Sequence, residues 1–308
     1  MTHDPLSSAS HPVLQRRLAA IIYNPQSGSG KAKRTAKTVS DQLKAHGIEV
    51  VLRASSREYE ADEIDTFLKQ FDFVMVAGGD GTMMGLLQPL ARAGTPVSML
   101  PSGNESLFAR VFRMRSRADC VLAALRKPQL SRHHFGLVNG RPFFTMLSLG
   151  YDSEVIRYID SYRRGPIKHV GYILPGLSCL FHHRSPQITL RADGVPVLEA
   201  QKGYLIIANN KEYAGKLGLV PEADSRHDQL HARFFPGHDR LNVIRWLMKI
   251  ALGRNVNLQG TQLFQAKQFE LQNTDGDYPM QADGESVGMS PAVVSISREQ
   301  ICVLHLAG

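Results

Sequence analysis

The chain has 308 residues, enough for one or two buried cores without disulfide or metal staples. With 43% hydrophobic and 21% charged residues it is neither disordered nor fibrous, and no stretch reaches the roughly 18 apolar residues of a membrane-spanning helix. Lys and Arg number 36 against 28 Asp and Glu, a net charge of +8, which favours an anionic partner: a phosphorylated small molecule, a phospholipid surface or a nucleic acid.

Residues 1–17 carry no apolar run after a basic start and are expected to form a disordered lead-in rather than a secretory signal. LAAIIYNP (18–25) is a short apolar strand ended by Asn-Pro. KAKRTAKTVSDQLKAHG (31–47) follows as a helix, with Ala36, Val39 and Leu43 on one face and Gly47 as its cap. The same alternation continues: strand 48–55, helix 61–71, strand 73–79, helix 82–94 and strand 96–103. Such alternation predicts a parallel sheet covered on both faces, with ligands at the carboxyl ends of its strands. After about residue 133 the texture changes to short Val-, Ile-, Phe- and Thr-rich runs separated by Gly, Pro, Asn and Asp, the pattern of an antiparallel sandwich. One helical stretch, 241–252, interrupts it. The expected division is an α/β half over 18–133 and a mostly β half over 134–308. Cys120, Cys179 and Cys302 are far apart and form no CxxC pair, which suits a reducing, cytoplasmic setting.

Three glycine-bearing turns fall at strand ends of the first half: NPQSGSGK (24–31), GGDGT (78–82) and PSGNESLFAR (101–110). The first is not a Walker loop, because Pro25 stands where the first glycine belongs and Ala32 follows the lysine. Nor is it a dinucleotide fingerprint, which would need a third glycine at Lys33. A Ser-Gly turn opening a Lys-rich helix still offers backbone N–H groups and positive charge to an anion. In GGDGT the glycines let the backbone approach a ligand closely. Thr82 adds a hydroxyl, and a carboxylate such as Asp80 is tolerated beside phosphates chiefly when Mg²⁺ lies between them.

Taken together, NPxSGxGK, GGDGT and P-x-G…F-A-R resemble the diacylglycerol kinase catalytic-domain family, which includes bacterial lipid kinases and the sphingosine and ceramide kinases. LSLGYDSEVI (147–156), the stretch 209–235 and ADGES (282–286) extend the resemblance, which covers 18 to 306. It implies an N-terminal α/β domain of NAD-kinase-like type followed by a C-terminal β-sandwich, and an ATP- and magnesium-dependent transfer to a hydroxyl of diacylglycerol or a similar lipid. The nucleotide site it implies contains Asn24, Ser27, Gly28, Ser55, Gly78, Gly79, Asp80, Gly81, Thr82, Gly103 and Asn104. Asp80 would reach magnesium. Asp283 would take the proton from the lipid hydroxyl with Glu285 supporting the metal, and Asp228 would hold a structural magnesium. The implied setting is a cytoplasmic protein, peripheral at an anionic membrane surface and without a nucleic acid partner; the basic, aromatic run 157–184 reads either as a segment lying on such a surface or as an amphipathic helix packed on the sandwich.

The chain departs from the family in several places. The family reads P-x-G-T-x-N-D-F-A-R, where this chain has Asn104 for the Thr, Ser106 for the Asn and Leu107 for the Asp. Gly85 replaces a Glu three residues past Thr82, and Gln229 replaces the Gly after Asp228. These departures keep in view a nucleotide- and lipid-binding module with impaired catalysis; a kinase of a soluble metabolite such as NAD is a further alternative, against which nothing here resembles the Asn-Glu pair that NAD kinases carry after GGDGT.

Overall fold

A computed structural model describes residues 17–56, 60–102, 106–162, 178–179, 185–211, 219–237 and 260–306. The chain forms two compact units: one runs to His133 and resumes at Glu299, and the other is His134–Arg298. The helix expected at 241–252, residues 1–16 of the lead-in and most of the basic run 157–184 lie outside the described residues.

The first unit contains, in order, β1 (Leu18–Tyr23), α1 (Lys31–Ala45), β2 (Glu49–Ala54), α2 (Ala61–Leu68), β3 (Phe73–Gly78), α3 (Asp80–Met84), α4 (Leu87–Ala93), β4 (Val97–Pro101), α5 (Leu107–Val111), α6 (Ala118–Arg126) and β5 (Leu130–His133). β1, β2, β3 and β4 are parallel neighbours. All six residues of β3 are buried, as expected of a central strand covered on both faces. α1 buries Ala32, Ala36, Val39 and Leu43, so the apolar stripe of the sequence is the packed face. The single helix expected over 82–94 is broken into α3 and α4 around Gly85 and Leu86, a glycine being a poor helix interior.

The second unit contains β6 (Gly136–Val138), β7 (Arg141–Phe143), β8 (Met146–Leu149), α7 (Tyr151–Tyr162), β9 (Gln187–Ala192), β10 (Val195–Ala208), β11 (Leu230–Pro236), β12 (Gln262–Ala266), β13 (Gln268–Asn273), β14 (Pro279–Ala282), β15 (Glu285–Met289) and β16 (Ala292–Ile296). It is an antiparallel β-sandwich. One layer runs β7-β6-β16-β13-β9 and the other β15-β14-β8, with β11 and β12 beyond; β10 belongs to both. The first part of this 14-residue strand pairs with β9, its register slips twice between Pro196 and Gln201, and Gly203–Ala208 then pairs with β8 and β11. Ala200 at φ 48° marks the bend. Phe143, Leu149, Ile188, Leu205, Phe234 and Phe269 fill the space between the layers.

The last strand, β17 (Ile301–Leu304), corrects the sequence reading, which placed ICVLHL in the sandwich. It joins the sheet of the first unit in the order β2-β1-β3-β4-β17-β5, parallel to β4 and antiparallel to β5. A short apolar strand carries no mark of its partner, so composition alone could not assign it.

Candidate functional site

In the first unit three turns gather at the carboxyl ends of β1, β3 and β4. The backbone N–H of Asn24 donates to Ala77 O at 2.9 Å, and its side-chain Nδ2 donates to Thr82 Oγ1 at 3.1 Å. Gly28 sits so close to the third turn that a Cβ there would lie 2.4 Å from Ser102 O, and its φ of 58° is in the left-handed region; both facts require glycine. Ser102 N–H in turn donates to Gly78 O at 3.0 Å. Ser55 follows β2 and donates its N–H to Tyr23 O at 2.8 Å, which puts it at the same edge. The structure therefore brings together Asn24, Ser27, Gly28, Ser55 and the GGDGT turn. Gly103 and Asn104 lie outside the described residues.

Gly79 differs from Gly28 and Gly78, where a Cβ would stand within 3 Å of a neighbouring atom. Its backbone is extended, and a Cβ there would meet only Ser27 Oγ, at 4.0 Å. Neither backbone strain nor packing demands glycine at this position, so the missing side chain leaves open space beside Ser27.

Asp80 opens α3 with its carboxylate turned toward α5. Oδ2 accepts from Leu107 N–H at 2.8 Å, while Oδ1 accepts from Phe108 N–H and from Ser106 Oγ, both at 3.0 Å. Burial pushes the Asp80 carboxyl up, against the opposing pull of those two backbone N–H groups and Ser106. Of the roughly four lone-pair directions of a carboxylate, one on Oδ2 is left by the described partners. Two of the departures from the family pattern act here. Ser106 caps α5, accepting from Ala109 N–H at 3.1 Å while donating to Asp80. Leu107 contributes through its backbone, which any residue would supply. The sequence signal for this clamp is a serine immediately before a short apolar helix.

In the second unit Asp283 and Gly284 form the turn between β14 and β15, at φ 49° and 82°. The Asp283 side chain reaches the connection between β7 and β8: Oδ2 accepts from Phe144 N–H at 2.6 Å, and Oδ1 accepts from Thr145 N–H at 2.9 Å and Met146 N–H at 3.0 Å. Glu285 on β15 is exposed and lies 3.6 Å from Arg141 Nη2. Gln281, buried on β14, braces the turn by accepting from Gly284 N–H at 2.9 Å, while its amide donates to Ser148 Oγ and Asp152 Oδ2 at 2.7 and 3.0 Å. The sequence reading missed this network, because glutamine, serine and aspartate on three separate elements form no motif.

Asp228 lies away from the Asp283 turn in sequence, just before β11, and is exposed. It pairs with Lys267 Nζ at 2.5 Å, and Lys267 holds its carboxyl below the usual range. Among the described residues no group of three or more His, Cys, Asp or Glu side chains could hold a metal ion.

Comparison with known proteins matches both halves. Residues 18–138 fit the family model for the diacylglycerol kinase catalytic domain, and residues 145–305 fit the model for the YegS C-terminal NAD kinase beta sandwich-like domain. A diacylglycerol kinase of Mycobacterium tuberculosis is 27% identical over 293 residues, covering 90% of this chain and 94% of the relative. One from Bacillus subtilis is 23% identical over 282 residues, covering 89% and 91%. A crystal structure of a diacylglycerol kinase from Bacillus anthracis superposes with a TM-score of 0.64 at 14% identity, over 94% of this chain and 96% of that one, and shares the fold. With the catalytic-domain model on its first half and the sandwich model on its second, the chain belongs to the diacylglycerol kinase family and is a lipid kinase.

Proposed function

We propose that the chain transfers the γ-phosphate of ATP to a hydroxyl of diacylglycerol or a similar lipid, working from the cytoplasm at an anionic membrane surface. The observation that carries the nucleotide part is the open space at Gly79 beside Ser27, within a ring of turns cross-linked by Asn24, Thr82 and Ser102. A glycine required by neither strain nor packing is what close approach of a phosphate needs. Asn24, Ser27, Gly28, Ser55, Gly78, Gly81 and Thr82 line or shape this edge, and Gly103 and Asn104 complete the expected set.

The donor set fits magnesium held against phosphates rather than in an all-protein cage. Magnesium keeps several waters and takes one or two carboxylates, and Asp80 has one position to give. Bound there, the ion neutralises phosphate charge. Glu285 is a further candidate ligand, and Asp228 a candidate for a separate structural ion once released from Lys267.

For the proton we assign different work to the two acidic residues of the ADGES turn. The Asp283 oxygens are committed to backbone N–H groups, so this residue positions the turn. Glu285 is exposed next to it and accepts the hydroxyl proton, the task of a carboxylate near the attacking oxygen.

Incubation with labelled ATP, magnesium and mixed micelles containing diacylglycerol tests the reading. Labelled phosphatidic acid, lost on chelation of magnesium, is expected. No labelled product from diacylglycerol, sphingoid base or ceramide would sink it. With a net charge of +8, binding to anionic vesicles is expected to weaken as salt rises.

A further inference from the structure

β2 is the outermost strand of the first unit's sheet, and among the described residues nothing pairs with its free edge. Natural edges are commonly blocked by a proline, a bulge or an inward-pointing charge. β2, EVVLRA, has no proline, and its register with β1 is unbroken over six residues. Val51 and Leu52 point to opposite faces and are each 41% exposed. With neither proline nor bulge, this edge can template another strand, and its two charged residues, Glu49 and Arg53, restrict which strand fits.

Hydrogen bonding within the sheet limits how a partner can pair. Glu49 N–H donates to Arg17 O and Ser55 N–H to Tyr23 O, so the odd-numbered residues turn their N–H and C=O groups toward β1. Val50, Leu52 and Ala54 turn theirs outward. An antiparallel partner with the same sequence must therefore set even residues against even ones. Two-fold registers centred on Val50, Val51 or Leu52 all obey this condition. Centring on Val50 puts Glu49 opposite Val51, and centring on Leu52 puts it opposite Ser55. Centring on Val51 sets Glu49 of each copy opposite Arg53 of the other, with Val50 and Leu52 forming the hydrogen-bonded pairs. Opposite charges directly across an antiparallel pair are favourable, and like charges unfavourable. Arg53 is already oriented by Glu63 at 2.5 Å and by the Phe67 ring at 4.5 Å.

We propose that β2 pairs antiparallel with β2 of a second copy of this chain, about a two-fold axis through Val51, joining the two sheets edge to edge. Light scattering across a concentration series tests it on the full chain. A dimer is expected, weakened roughly tenfold or more in Glu49→Arg, where like charges face each other twice, and recovered in Glu49→Arg combined with Arg53→Glu. A second, independent test is oxidative cross-linking against the wild-type background of Cys120 and Cys179. Val51→Cys is expected to form a disulfide dimer, because Cα atoms in a non-hydrogen-bonded pair lie about 4.5 Å apart, within disulfide reach. Leu52→Cys is expected not to, since its counterpart is displaced along the strand. A monomer at every concentration, a dimer indifferent to Glu49→Arg, or cross-linking through Leu52→Cys rather than Val51→Cys would each overturn the proposal.

Discussion

The Asp283 carboxylate binds the backbone N–H groups of Phe144, Thr145 and Met146, whereas Glu285, two positions on, is exposed and meets Arg141 at 3.6 Å. Asparagine at 283 keeps the turn, since Asn-Gly suits the same left-handed geometry, but offers one acceptor oxygen and sets an NH₂ against a backbone donor. Asp283→Asn is therefore expected to lose about 1–3 kcal/mol of stability, read by urea unfolding. Glu285→Gln should fold normally and lose about 10²–10⁴ in kcat, the range for a positioned acid–base group. An unchanged kcat in a folded Glu285→Gln would refute the assignment. Asp80 adds a pH dependence. Its folded pKa is raised by burial, so ionisation of this carboxyl opposes folding above that pKa, and the penalty is relieved as pH falls through it. If the ionised form serves the nucleotide, ATP affinity should fall on acidification with a midpoint above the ordinary aspartate value of about 3.9. Asp80→Asn should remove that dependence; its persistence in the variant would assign the titration to another group.

Elements differ in how far the sequence could anticipate them. The helix α1 was legible because Ala36, Val39 and Leu43 recur at helical spacing and are the residues that become buried; the glycine turns were legible because they end apolar strands. The break between α3 and α4 and the cap at Ser106 were not, and of α7 only the end, within the run from residue 157, was read as helical. Short helices of five residues, such as α3 and α5, are stabilised by tertiary packing and capping rather than by their own periodicity. The double membership of β10 was also hidden, since it depends on a bend at Ala200 and on close approach to β11. Gly203 tests that approach: a Cβ there would stand 2.4 Å from Phe235 O and 2.5 Å from the Phe234 ring. Gly203→Ala is expected to lower stability by about 1–3 kcal/mol, the range for overpacking. A melting temperature equal to wild type would show that β10 and β11 can separate at no cost.

For the whole molecule, the return of β17 makes the second unit an insertion between two neighbouring strands of the first. β17 lies between β4 and β5, all four of its residues are buried, and it is the strand to which β5 bonds. Ser98 Oγ also donates to Leu304 O at 2.5 Å. A fragment ending at His133, where the change of texture would place a cut, leaves β4 with an open edge and β5 without its ladder. It is expected to show no cooperative urea transition. The register supplies a remedy: β5 and β17 are antiparallel with His133 opposite Ile301, so a short Asn-Gly turn in place of the second unit would join them as a hairpin. That closed form keeps every strand of the sheet and is expected to unfold cooperatively. Loop-closure entropy favours it further, because the two strands then meet across a few residues instead of the whole second unit. Equal, cooperative unfolding of the fragment ending at His133 would show that β17 contributes nothing to the first unit's stability, against its burial in the middle of the sheet.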